Sequence, residues 1–149
     1  MNLMSFLQRG ATHAPTDAQR RQAKYDATAN AARQMWLDAL LVDQTRAWMS
    51  IGEDAPDILG AMATMLTIGG MVHVYDKRTE DTPDMRVIRG AISAATQRAQ
   101  SKGVITTDDV RAFAAGCERA VAAIREGSTT AIIHAAQSIR VVVGLEGVR

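Results

Sequence analysis

A chain of 149 residues, 47% hydrophobic and 22% charged, is long and apolar enough to bury one core, which excludes wholesale disorder. Its one cysteine, Cys117, excludes an internal disulfide and makes the cytosol the simple reading of its compartment. The net charge of +1 conceals a pattern: residues 1–52 hold six basic and four acidic residues, residues 53–84 two and seven, and residues 85–149 nine and five. The acidic middle and basic C-terminal part can pair within the fold or between subunits.

Alanine, methionine and arginine are plentiful, aromatics are scarce at 4%, and only three prolines interrupt the chain. That composition favours helix. The expected architecture is all-α: residues 1–15 a flexible tail, residues 16–149 one domain of about five helices. The N-terminus, MNLMSFLQRG, is no secretory signal, because its apolar run is short and Arg9 follows it.

Pro15-Thr16-Asp17 starts the first helix, with Thr16 or Asp17 as cap. Helical pattern runs to Ser50. A straight helix of that length reaches about 51 Å, against roughly 38 Å for the diameter of a compact chain of this size. The helix therefore protrudes or breaks, and the weak formers Thr28 and Asn30 are the expected break. Its second half, with Met35, Trp36, Leu37, Leu40, Leu41 and Trp48, is the strongly apolar part.

Ile51-Gly52 ends that element. Asp54 is the expected cap of the second helix, with Pro56 in its first turn and its end near Arg78. This helix, over residues ~55–78, contains eighteen residues, Ile58 to Tyr75, without a fixed charge. Ile58, Met62, Met65, Leu66 and Val72 form a bulky side. Gly60, Ala63, Thr64, Thr67 and Gly70 form a small side, which suits close approach of another helix from its own chain or a second copy. Apolarity all round predicts a helix buried at the middle of the bundle. A single membrane span over residues 58–75 is the alternative, but a span needs about 20 apolar residues, and three glycines, two threonines and a histidine dilute this one.

Thr82-Pro83 caps and opens a third helix running to Lys102, with Gly103 in the left-handed position beyond it. Ile88, Ala91, Ile92, Ala95 and Ala99 make its apolar stripe. Val104-Ile105 staples onto a fourth helix, capped by Thr106 or Thr107 and ended at Glu126. Its stripe is Val110, Phe113, Ala114, Cys117, Val121 and Ile124. Ser128 caps a fifth helix, expected to end near Val143, with Ile132, Ala136, Ile139 and Val143 facing one way. Val141-Val142-Val143 is β-branched, but a lone strand has no partner.

The chemistry is sparse. Cys117 lies within an apolar stripe, where cysteine acts as a small hydrophobe. His73 with Asp76 one turn on is half of a general-base pair, and a buried hydrogen-bonded histidine is the simpler reading. His134 reads as a surface residue. Glu53, Asp54 and Asp57 form one acidic group, and Asp76, Glu80, Asp81 and Asp84 another that suits a hard cation. Helix caps and solvated loop charges explain both groups more simply. No nucleotide, hydrolase or histidine-cysteine metal motif occurs, so no catalytic residue, cofactor or metal is assigned.

The third and fourth helices with their short turn resemble a helix-turn-helix in outline, but Asp108-Asp109 stand where a recognition helix would meet phosphates. DNA binding through Arg86, Arg89, Arg98 and Lys102 is thus the lesser reading. The leading expectation is a small non-catalytic interaction or accessory protein that associates with itself or another protein. Surplus apolar residues motivate it: Trp36, Trp48, Met35, Met49, Ile133 and Val141 exceed what the core stripes require. With the small side of the second helix, Trp36, Trp48, Ile133 and Val141 are the interface candidates.

Overall fold

A computed structural model describes residues 14–147 of the chain, with side chains through residue 139. Five helices form among these residues: α1 (Asp17–Met49), α2 (Pro56–Lys77), α3 (Pro83–Ser101), α4 (Thr107–Glu126) and α5 (Thr129–Gly147). They pack into one all-α bundle in which α2 touches all four other helices. Of the expected tail, only residues 14 and 15 are described, and both are exposed.

The first helix does not break. Thr16 accepts from the Gln19 amide while the Gln19 side chain accepts from the Thr16 amide, a reciprocal cap that fixes the start. At the expected break, Thr28 donates to the Lys24 carbonyl at 2.9 Å and stays helical, and neighbouring Ala29 is fully buried. Thirty-three residues span about 50 Å, so α1 outruns the bundle, and residues 14–24 are all exposed.

The start of α2 differs from the expectation. Ala55, not Asp54, is the cap residue, and its carbonyl accepts from the amides of Ile58 and Leu59. Pro56 needs no donor at the first position. The helix buries Leu59, Met62, Leu66 and Val72 completely or nearly so. It is not covered on every side, however. Gly60, Thr64 and Thr67 are exposed and Ala63 is half-buried, because four neighbours do not close the circle around it. The threonine hydroxyls donate to the Gly60 and Ala63 carbonyls at 2.9 and 2.7 Å.

The closest helix contacts lie elsewhere. A Cβ on Gly69 of α2 would stand 2.9 Å from the Ala120 Cα of α4. A Cβ on Gly116 of α4 would overlap Ala91 of α3. Of the small side predicted for α2, Gly70 alone is buried, against Met85 and Ile88 of α3.

Thr82 caps α3 by accepting from the Met85 amide at 3.1 Å, and Pro83 opens the helix as expected. The left-handed residue at its end is Lys102, φ 53°, not Gly103. Gly103 has another use: a Cβ there would lie 2.9 Å from the Arg98 guanidinium. Thr106 caps α4 reciprocally with Asp109. Ser128 accepts from the Ala131 amide at 3.1 Å at the start of α5. That helix runs through Val141–Val143 to Gly147, past the expected end and without a strand.

Two long-range ties fix the frame. Gly52 donates to the Ile105 carbonyl and Ile105 to the Glu53 carbonyl, at 2.8 and 2.9 Å, joining the loop after α1 to the loop before α4. Arg33 of α1 reaches the end of α4, donating to the carbonyls of Ile124, of Arg125 at 3.0 Å and of Gly127 at 3.1 Å. A guanidinium there serves carbonyls that the helix itself leaves unpaired.

Candidate functional site

Each half of the chemistry suspected around His73 has another partner. The His73 ring is buried, and its Nε2 lies 2.8 Å from the Thr82 hydroxyl, the same group that caps α3. Asp76 turns away to accept from the Ser128 amide at 3.1 Å, at the start of α5. Histidine and aspartate are thus used to join α2 to the starts of α3 and α5. Cys117 approaches the Met62 sulfur at 3.5 Å, eleven residues and about 16 Å along α2 from His73. Burial, reinforced by the charge of Asp43, pushes its thiol up to about 12. Tyr75 lies on the surface, its hydroxyl 2.8 Å from the Ser138 hydroxyl and its ring edge-on to His134. His73, Tyr75 and Cys117 therefore line no common pocket.

The second acidic group is occupied by cations of this chain. Asp81 binds Arg86 at 3.1 Å, Glu80 binds Arg89 at 3.4 Å, and Asp84 binds Arg119 at 3.0 Å. The acidic middle and the basic C-terminal part thus pair within the fold. No cluster of three or more potential metal ligands forms among the described residues. Arg98 binds Asp109 at 2.8 Å, so three of the four cations considered for phosphate contact already face a carboxylate. Burial alone would raise the Asp109 carboxyl, but hydrogen bonds from Arg98 and Thr106 outweigh it and hold the group below its ordinary range.

Asp43 stands outside the candidates that the sequence offers. It is nearly buried on the inner line of α1, with Trp36, Leu40 and Ala47. Burial raises its carboxyl, and Arg46 at 3.9 Å only partly offsets this. The spacing 36, 40, 43, 47 marks a helical stripe, and an aspartate on an apolar stripe was the available signal.

The interface candidates separate into three groups. Trp36 and Ile133, expected to face outward, are core residues at 5% and 7% exposure. Trp36 lies on that inner line, and α5 contacts both α1 and α2, which widens its buried arc to include Ile133. Val141 falls where side chains are outside the described residues. Trp48 is outward as expected, at 60% exposure.

Trp48 is part of a larger surface. Met35, Leu41, Val42 and Met49 of α1 are all more than half exposed, and Met49 reaches 76%. Ile51 and Val104, at the bridged loops beyond the helix, are partly exposed too. Met35, Val42 and Met49 recur every seven residues along one edge of the outer face, and Leu41 and Trp48 do so along the other. Asp38 and Thr45 lie between the two rows. Five large apolar side chains within 15 residues on one exposed helix face exceed the scattered hydrophobics of an ordinary surface. Burying them in water-free contact is the favourable process this surface offers.

No family model matches the chain, and no curated protein and no solved structure matches it significantly.

Proposed function

We propose that this chain is a non-catalytic helical interaction protein that associates with itself through the outer face of α1. The observation that carries the reading is the outward row of Met35, Leu41, Val42, Trp48 and Met49 on a helix whose opposite side is anchored in the core. Methionine and tryptophan are residue types that protein interfaces favour. The small, exposed side of α2 at Gly60, Thr64 and Thr67 is a poorer candidate, since it offers little side-chain area.

Nothing comparable supports DNA binding, because Arg86, Arg89 and Arg98 have their charge answered within the chain. For a membrane span, α2 is long and apolar enough by composition, but half of its most apolar stretch is buried against other helices.

The test is a pair of surface charges. Leu41→Lys with Val42→Lys alters two exposed positions, so the helical circular-dichroism signal stays as in the parent. The variant is expected to elute later than the parent in size exclusion at equal concentration. Identical elution of parent and variant would refute the assignment of the surface.

A further inference from the structure

The exposed rows on α1 also indicate how the contact is made, if that surface is the one used. We propose that a second copy lies antiparallel on it, α1 against α1, with the two-fold axis passing at Val42.

Three observations lead there. The first is spacing. Seven-residue recurrence keeps Met35, Val42 and Met49 on one seam for about 21 Å of helix, the pattern that suits helix-on-helix contact. That row also suits self-contact, because reversal about Val42 brings Met35 level with Met49 of the second copy. An isologous contact needs this self-complementarity.

Size is the second. With Ile51 and Val104, seven large apolar side chains stand exposed on α1 and the bridged loops beyond it, more than the singly scattered hydrophobics of an ordinary monomer surface.

Charge is the third, and it selects the direction. Asp38 lies within the seam, four residues before Val42, and Arg46 lies four residues after it. Parallel packing would put the two Asp38 carboxylates at one level. Antiparallel packing separates them by about 12 Å along the axis and sets each level with Arg46 of the other copy. Arg46 is half exposed, and its pairing with Asp43 is long at 3.9 Å, so its guanidinium also lies within reach of a second carboxylate. Opposed helix dipoles favour the same direction.

The experiment is disulfide trapping in the full chain, where native Cys117 is buried and does not compete. Val42→Cys, oxidised at micromolar concentration, is expected to link to itself about tenfold faster or more than Thr64→Cys, an exposed control on α2. Met35→Cys is expected to link to Met49→Cys in a mixture of the two proteins, and neither to itself. Self-linking of Met35→Cys and of Met49→Cys would mean parallel packing and overturn the proposal. A dimeric mass with no excess linking at Val42→Cys would overturn this geometry yet leave self-association standing. A monomeric mass for the parent protein would overturn both.

Discussion

Gly69 of α2 and Ala120 of α4 meet so closely that a Cβ on the glycine would lie 2.5 Å from the alanine Cβ. Because Ala120 Cα is also within 2.9 Å, no side-chain rotation relieves the overlap. Gly69→Ala is therefore expected to destabilise the fold by about 1–3 kcal/mol through overpacking. Gly60, nine residues earlier on the same helix, has nothing within 4 Å of such a Cβ. Gly60→Ala is expected to stabilise by roughly 0.5–1 kcal/mol through helix propensity alone. Urea denaturation of the two variants checks both signs, and equal shifts in the same direction would contradict this packing.

Arg33 binds α1 to the end of α4 through three backbone carbonyls. Arg33→Met keeps much of the stem and removes the donors, and is expected to cost about 1–3 kcal/mol. Arg33→Lys recovers only part, since one ammonium does not reproduce the planar fork. Thermal denaturation of the three proteins reads this ranking.

Two carboxylates give opposite pH effects. The Asp109 carboxyl is lowered on folding from its ordinary 3.8, so the folded state binds fewer protons. Its contribution is present above 3.8 and is lost as pH falls through the lowered folded value. Asp109→Asn is thus expected to weaken the protein at pH 7 and to flatten its acid loss. Asp43 is raised from 3.8, so its ionised form penalises the fold above the raised value, and the penalty fades as pH drops to 3.8. Asp43→Asn is expected to be more stable than the parent at pH 7 and no more stable near pH 4. Denaturant titrations across pH 3–7 separate the two slopes.

The Cys117 thiol, held near 12 in the folded chain, is expected to resist a thiol reagent at pH 8 in native buffer and to react promptly in urea. Its rate of modification then reports opening of the core where α2 and α4 meet. Fast native labelling would contradict its burial.

Much of this architecture was legible from punctuation. Thr82 and Ser128 cap the helices they were expected to cap, and Thr16 and Thr106 do so as one of the two residues offered at each start, because a short hydroxyl at a helix start acts through local geometry. What local chemistry does not decide was missed. Asp54 resembles a cap, yet Ala55 holds that position with backbone alone. Lys102 takes the left-handed φ although Gly103 is adjacent. Trp36 and Ile133 lie in the core instead of on the surface for a related reason. Whether Trp36 or Trp48 faces the core depends on which side of α1 the other helices choose, and the Leu40–Ala47 line that settles it also holds the charged Asp43. The absence of a break at Thr28 likewise depends on the support Ala29 gains from the body.

Light scattering of the intact chain at micromolar concentration tests the central claim most directly. The account predicts a mass of twice the 16.0 kDa chain, falling to the single-chain value in Leu41→Lys with Val42→Lys. A parent protein that scatters as one 16.0 kDa chain across that range would contradict it.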